Sequence, residues 1–344
     1  YTSEGEWKYG GYSYWCFDLT PEQLAELSNH EVYSVDGLLK NGLYYSLDTE
    51  TWSIGEWCLN LLGVKNKNIT EAKIEPFESL EIKGILEGAF YECTLLQKVD
   101  LSQTGIMEIG RNTFSGCSML KEVKVPSTLT KLDRDAFANC TSLQVIDLSQ
   151  TGITEILRKA FYECTSLDEV KFPKALMKLG QSVFESCTSL KEIDLSQTGI
   201  TEIESRAFYE CTSLNEVKFP NALMKLGQNV FENCISLKKI DLSQTEITEI
   251  YPQMFMNSIL EEVKLPSSLT NIGQQAFSDC IMLKKMDLSQ TRITEISRFT
   301  FYGCTALKEV KLPNTVTKIE KYAFMRCSSL EKIDLSQTNV KEIG

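Results

Sequence analysis

Apolar residues in this chain recur in a fixed order with a period of 23 or 24. Phe90, Phe114, Phe137, Phe161, Phe184, Phe208, Phe231, Phe255, Phe277, Phe301 and Phe324 mark the period. In the unit that starts at Phe208 the apolar marks are Phe208, Cys211, Leu214, Val217, Phe219, Leu223 and Leu226; the next unit answers with Phe231, Cys234, Leu237, Ile240, Leu242, Ile247 and Ile250. Within each unit a stretch such as "LNEVKFP" or "LKKIDLS" alternates apolar and polar residues, the period of a half-buried strand. The pattern predicts one short strand per coil. Strands of one sense at this spacing stack as a parallel sheet with the connections behind it, the construction of an α/β-type repeat solenoid. "AFYEC" and its equivalents are short enough for a helical turn or a loop, and the expected place for them is the convex side.

Segments 160–203 and 207–250 are identical at 37 of 44 positions, and all seven differences miss the apolar marks. The core set is copied and the outer positions have drifted. About eleven coils occupy residues 75–344, in a 47-residue double repeat marked by "DLSQT" at Asp100, Asp147, Asp194, Asp241, Asp287 and Asp334. Reading down the outward strand positions explains the doubling. One column runs Asp100, Lys124, Asp147, Lys171, Asp194, Lys218, Asp241, Lys264, and its sign changes at every step. Its neighbour runs Lys98, Glu122, Val145, Glu169, Glu192, Glu216, Lys239, in opposite phase except at Val145 and Glu192. Like charges directly opposite on neighbouring strands are destabilising, so two coil types in alternation are expected to form a ladder of opposite charges.

Residues 1–74 do not repeat. They hold all four tryptophans (Trp7, Trp15, Trp52, Trp57), and the expected role is an aromatic-rich cap over the exposed end of the core; a sugar site built on the same rings is the competing reading. "TPEQLAEL" predicts a short helix from Thr20 to about Leu27, with Pro21 at its first position. "GLYYSLDTETWSIGEW" predicts a hairpin: Leu43, Tyr45 and Leu47, a turn at Asp48 to Thr51, then Trp52 and Ile54.

Charge and inventory narrow the chemistry. The net charge is −12, and two-thirds of it lies in the first 60 residues. The rest is nearly balanced and lacks the basic stripe that nucleic acid requires. No apolar run reaches the roughly 18 to 20 residues of a bilayer span. A start at Tyr1 and a stop inside a repeat suggest a piece of a longer protein. Ten of the twelve cysteines follow a core Phe by three residues, with Ser258 in the remaining coil, and this core spacing favours buried free thiols over disulfides or a metal. Cys16 and Cys58 stand apart and form the candidate disulfide, which would mark an oxidising compartment. His30 is the only histidine, so His-dependent triads and metal clusters are absent; no phosphate loop is present and no cofactor is called for. Asn68 and Asn139 open glycosylation sequons of low specificity.

"CTSLNEVKFPNALMKLGQNVFENCISL" fits C-x-x-L-x-x-V-x-[FL]-P-x-x-L-x-x-[IL]-G-x-x-[AV]-F-x-x-C. This resembles the BspA-like, or Treponema-type, leucine-rich repeat over roughly residues 75–344. Thr104, Thr151 and Ala175 stand where other leucine-rich repeats place a laddering Asn. The resemblance implies a curved parallel sheet on the concave side and a secreted or cell-surface setting in a microbe. It also implies a non-catalytic role in adhesion or recognition of a host, matrix or other cell-surface protein. The expected ligand face is the outward strand residues around the lapses in the charge ladder: Val145, Asp147, Glu169, Lys171, Glu192, Asp194, Glu216, Lys218, Lys239 and Asp241. The alternative is a structural stalk with no ligand of its own.

Overall fold

The computed structural model describes residues 6–9, 12–15, 38–40, 43–48, 58–64, 66–74 and 81–344. It is a parallel β-solenoid of the leucine-rich-repeat type, of about twelve turns. Each coil carries two strands rather than the one expected. The first is three residues long, from Glu71–Lys73 and Lys98–Asp100 to Lys332–Asp334. The second is two residues long, from Glu108–Ile109 to Glu342–Ile343. Sequence patterning hides the second strand because two residues are too few to show an alternation; only its charged column (Glu108, Lys131, Glu155, Lys178) betrays it.

In the first ladder the middle residue of each strand points inward: Val99, Val123, Ile146, Val170, Ile193, Val217 and Ile240 are all buried, and both flanking positions face solvent. Behind them the phenylalanines form one continuous column. From Phe90 to Phe324 each ring stacks on the next, with centroids 5.1 to 5.7 Å apart. Ten of the eleven rings are fully buried. A parallel stack of this kind follows from the repeat itself, since identical side chains in identical rotamers must repeat at the coil spacing.

No helix occurs among the described residues, so the segments expected as helical turns are corrected to stacked tight turns. Their backbone explains why. Lys159 and Glu163 sit in the left-handed region at φ 58° and 55°, and equivalent residues do so in coil after coil. One such residue in every four stops a helix from propagating. Alternate amides then divide the work. Ala160, Tyr162 and Cys164 donate N–H three residues back, to Leu157, Lys159 and Phe161, while Lys159, Phe161 and Glu163 donate to Gln181, Val183 and Glu185 of the next coil. The turn face is therefore hydrogen-bonded from coil to coil like a sheet. The recurrent Gly has a steric cause: a Cβ on Gly180 or Gly227 would meet backbone atoms of the preceding coil at 2.8 and 2.4 Å.

The ladder thiols are free. From Cys117 onward each Sγ–H donates to the Phe carbonyl of the preceding coil at 3.0 to 3.3 Å, as Cys117 does to Phe90 and Cys211 to Phe184. Ser258 makes the same bond, Oγ to Phe231 O at 2.8 Å, which is why a hydroxyl is accepted there.

At the N-terminal end, strands Glu6–Tyr9 and Tyr12–Trp15 pair antiparallel. Leu43–Asp48 pairs antiparallel with Leu38–Lys40 on one side and with Cys58–Val64 on the other. Cys58–Val64 in turn runs parallel to Glu81–Ile85. The first strand of the expected hairpin is present, and its return partner is 58–64. The expected return at 52–54, the helix at 20–27, Cys16 and the side chain of Cys58 lie outside the described residues, as do the side chains of the four tryptophans. Leu43 and Leu61, both buried, join the solenoid core from this end.

Candidate functional site

All ten residues expected on the ligand face lie on the outward side of the first ladder and are exposed. The strand register sets Val145 opposite Glu169, Asp147 opposite Lys171, Glu192 opposite Glu216, Asp194 opposite Lys218, and Asp241 opposite Lys264.

The pentapeptide has a local function that reading columns of charge does not reveal. In all six copies one Asp oxygen, Oδ1, accepts the backbone N–H of the Ser two residues on, at 2.9 to 3.0 Å. In five copies the Ser hydroxyl donates to the same oxygen at 2.6 Å. The Thr hydroxyl closes the turn on the Leu carbonyl at 2.7 to 2.8 Å. The Leu itself enters the core and the Gln remains outside. This is an Asx turn, in which a short carboxylate replaces a backbone acceptor where the strand ends. The interleaved coils turn on Pro instead: Leu129, Leu176, Leu223 and Leu269 donate N–H to Pro126, Pro173, Pro220 and Pro266. They have no need of the carboxylate, so the Asp position is free to be Lys.

The second Asp oxygen then meets that Lys. Asp100 and Lys124 lie 3.6 Å apart, Asp147 and Lys171 3.7 Å, Asp241 and Lys264 3.2 Å, Asp287 and Lys311 3.6 Å. Each of these lysines belongs to the coil after its aspartate. Among the described residues none lies within 4 Å of the next aspartate along, so the expected unbroken ladder is corrected to a row of dyads. The backbone has the same rhythm. Through the middle of the solenoid, Leu148, Leu195 and Leu242 donate N–H forward to Lys171, Lys218 and Lys264, and the first ladder divides into the strand groups 145–147 with 169–171, 192–194 with 216–218, and 239–241 with 262–264; toward the two ends a third strand joins, 71–73 beside 98–100 and 122–124, and 332–334 beside 309–311 and 285–287. The second ladder, in contrast, runs unbroken through six strands from 108 to 226.

Four of the six Asp carboxyls, at 147, 194, 287 and 334, are held below the usual carboxylate range chiefly by the Ser hydrogen bonds. At Asp100 and Asp241 desolvation is the largest single influence and pushes upward, but the Ser bonds and the paired Lys together outweigh it and the net shift is down. The thiols move the other way: burial pushes Cys93 up to about 11 and Cys164 up to about 12, so both stay protonated at neutral pH.

Among the described residues neither Asp194 nor Asp334 has a lysine within 4 Å, and Asp194 lacks one although Lys218 stands opposite it in register. Lys218 Nζ turns to Glu216 of its own strand, 3.3 Å away, and has no bridge to Asp194. Glu192, with no ion pair among the described residues, faces Glu216 in register. Val145, 42% exposed, occupies a charged position two coils before Glu192. Val145, Glu169, Glu192 and Glu216 thus form a column of one apolar residue and three carboxylates. Among the described residues no group of three or more His, Cys, Asp or Glu is placed to share a metal, and no helix is long and apolar enough to cross a membrane.

The family model for the BspA type leucine rich repeat region, in six copies, matches residues 64–191, 146–260, 183–292 and 248–344. The chain belongs to the BspA type leucine rich repeat family. A leucine-rich repeat protein from Bacteroides ovatus is 23% identical, with a TM-score of 0.51 over 88% of this chain and 98% of that one. A leucine rich cell surface protein from Faecalibacterium prausnitzii is 22% identical, with a TM-score of 0.51 over 89% and 93%. The pneumococcal vaccine antigen PcpA is 21% identical, with a TM-score of 0.50 over 83% and 77%. At these identities the likeness is one of fold. No curated protein matches the sequence. The BspA type repeat is, like other leucine-rich repeats, a scaffold typical of protein-binding modules.

Proposed function

We propose that this BspA type chain is a non-catalytic recognition module, secreted or held at a cell surface, which binds a host, matrix or other cell-surface protein through the outward face of the first ladder. The observation that carries the reading is the column Val145, Glu169, Glu192, Glu216. At Asp100, Asp147, Asp241 and Asp287 the repeat supplies dyads that neutralise their own charge, whereas here Glu192, without an ion pair among the described residues, faces Glu216 in register and an exposed Val stands two coils before it; Glu169 and Glu216 each hold only the Lys of their own strand. Such a column suits a partner that brings basic side chains around a small apolar contact. The cell-surface protein and the vaccine antigen that share the fold support an extracellular setting. A stalk without a ligand is the rival reading, and the self-paired dyads elsewhere on the face favour it. The test is surface plasmon resonance of the chain over an array of purified matrix and cell-surface proteins. A saturable partner weakened at least tenfold by joint V145K, E192K and E216K substitution is expected. Saturable binding that ignores the triple substitution removes this face from the proposal, and the absence of any saturable partner supports the stalk.

A further inference from the structure

On the turn side of the last described coils, away from the first ladder, the repeat is broken in a different way. The left-handed turn position is taken by Asn112, Asp135, Lys159, Ser182, Arg206, Asn229, Gln253 and Gln275 in successive coils, and then by Phe299 and Tyr322, at φ 58° and 65°. Bulky aromatic residues are rare there, and a strained position that two adjacent coils both fill with rings invites a functional explanation. The two rings stack at 5.1 Å, and Tyr302 meets Phe299 edge-on at 5.6 Å. Arg298 lies over Phe299 at 4.7 Å and over Tyr322 at 5.5 Å; Arg326 lies over Tyr302 at 5.3 Å.

Neither guanidinium has a carboxylate within 4 Å among the described residues. The nearby Glu320 is engaged elsewhere, since its Oε2 accepts the Arg298 backbone N–H and its Oε1 pairs with Lys318 at 3.3 Å. A guanidinium stacked on a ring keeps its in-plane N–H donors free in a fixed fork, the geometry that receives a carboxylate. Tyr322 and Met325, each 46% exposed, add an apolar surface beside the two cations.

We infer that this aromatic and arginine cluster docks an acidic protein segment, its carboxylates on Arg298 and Arg326 and an apolar side chain against Tyr322 and Met325. The mix of Arg, Tyr, Phe and Met is that of interface anchors. A sulfated polysaccharide is the less suitable occupant: the patch offers two unpaired cations rather than a basic stripe, and the exposed rings would meet no apolar partner.

The test uses the whole chain and a fluorescein-labelled 12-residue peptide of alternating Glu and Phe, followed by fluorescence anisotropy. Saturable binding is expected, weakened at least tenfold by joint R298A and R326A substitution and unchanged by the triple substitution on the first ladder. A peptide of equal charge with Ser in place of Phe should bind at least tenfold more weakly. Y322N should raise the thermal midpoint, because Asn suits the left-handed turn, while weakening the peptide several-fold. Absence of saturable binding, indifference to the arginine substitutions, or tighter binding of heparin than of the peptide would each overturn the inference.

Discussion

The stacked phenylalanine column gives the sharpest prediction about what holds the solenoid together. Phe208 is fully buried between Phe184 and Phe231, with centroids at 5.7 and 5.6 Å and ring planes within 4° and 7°. Replacing it with Leu keeps most of the apolar volume but removes both ring contacts, which at about 0.5 to 1.5 kcal/mol per pair amounts to a loss of about 1 to 3 kcal/mol. Ala removes the volume as well and leaves a cavity, for a total of about 3 to 5 kcal/mol. Phe324 is only partly buried and stacks on Phe301 alone among the ring contacts found, at 5.4 Å, so its truncation should cost about half as much as that of Phe208. Urea denaturation followed by circular dichroism gives the three values. If Phe208→Leu costs less than about 0.5 kcal/mol, or Phe324→Ala costs as much as Phe208→Ala, the rings are interchangeable filler and the account of the column is wrong.

Acid should weaken the fold through the turn carboxylates. Their folded-state pKa values are depressed, so the stability they contribute is fully present above the unfolded value of about 3.9 and is lost as pH falls through the lower folded values. Titration calorimetric melts from pH 5 to pH 2 should show this loss, and joint Asp→Asn substitution at 147, 194 and 287 should flatten it; an unchanged slope in that variant argues against the Asx turns. For the thiol ladder the expected order of stability is wild type, then Cys211→Ser, then Cys211→Ala. The hydroxyl preserves the bond to Phe184 O, whereas Ala forfeits a hydrogen bond worth about 0.5 to 1.5 kcal/mol along with packing. Ala ranking above Ser by chemical denaturation would show that the bond contributes nothing.

Much of the fold could be read from the chain because a solenoid repeats its evidence. The Phe, Cys and Leu marks at one period dictate coils in register, and the sign changes at Asp147, Lys171, Asp194 and Lys218 foretold which residues would face each other. What stayed hidden was short-range. A two-residue strand such as Glu155–Ile156 leaves no periodic trace. The turns at Lys159 and Glu163 are decided by left-handed backbone geometry that ordinary residues adopt only because coil-to-coil hydrogen bonds hold them there. The Asp of "DLSQT" was legible as a charge but not as a turn acceptor, and for that reason the division into dyads was missed. On the candidate face, the lapses at Val145 and Glu192 were visible as breaks in a column, while the retreat of Lys218 to Glu216 required side-chain positions.

In the central coils, 145 to 264, the pentapeptide recurs every second coil because an Asx-turn coil and the Pro-turn coil after it form one bonded unit. Two double-mutant cycles test it most directly: Asp147 with Lys171 inside a unit, and Lys171 with Asp194 across the junction. For half-exposed partners the first coupling should fall at about 0.2 to 1 kcal/mol, fading with added salt, and the second should be indistinguishable from zero. Equal couplings in the two cycles, or a larger one across the junction, would contradict the account.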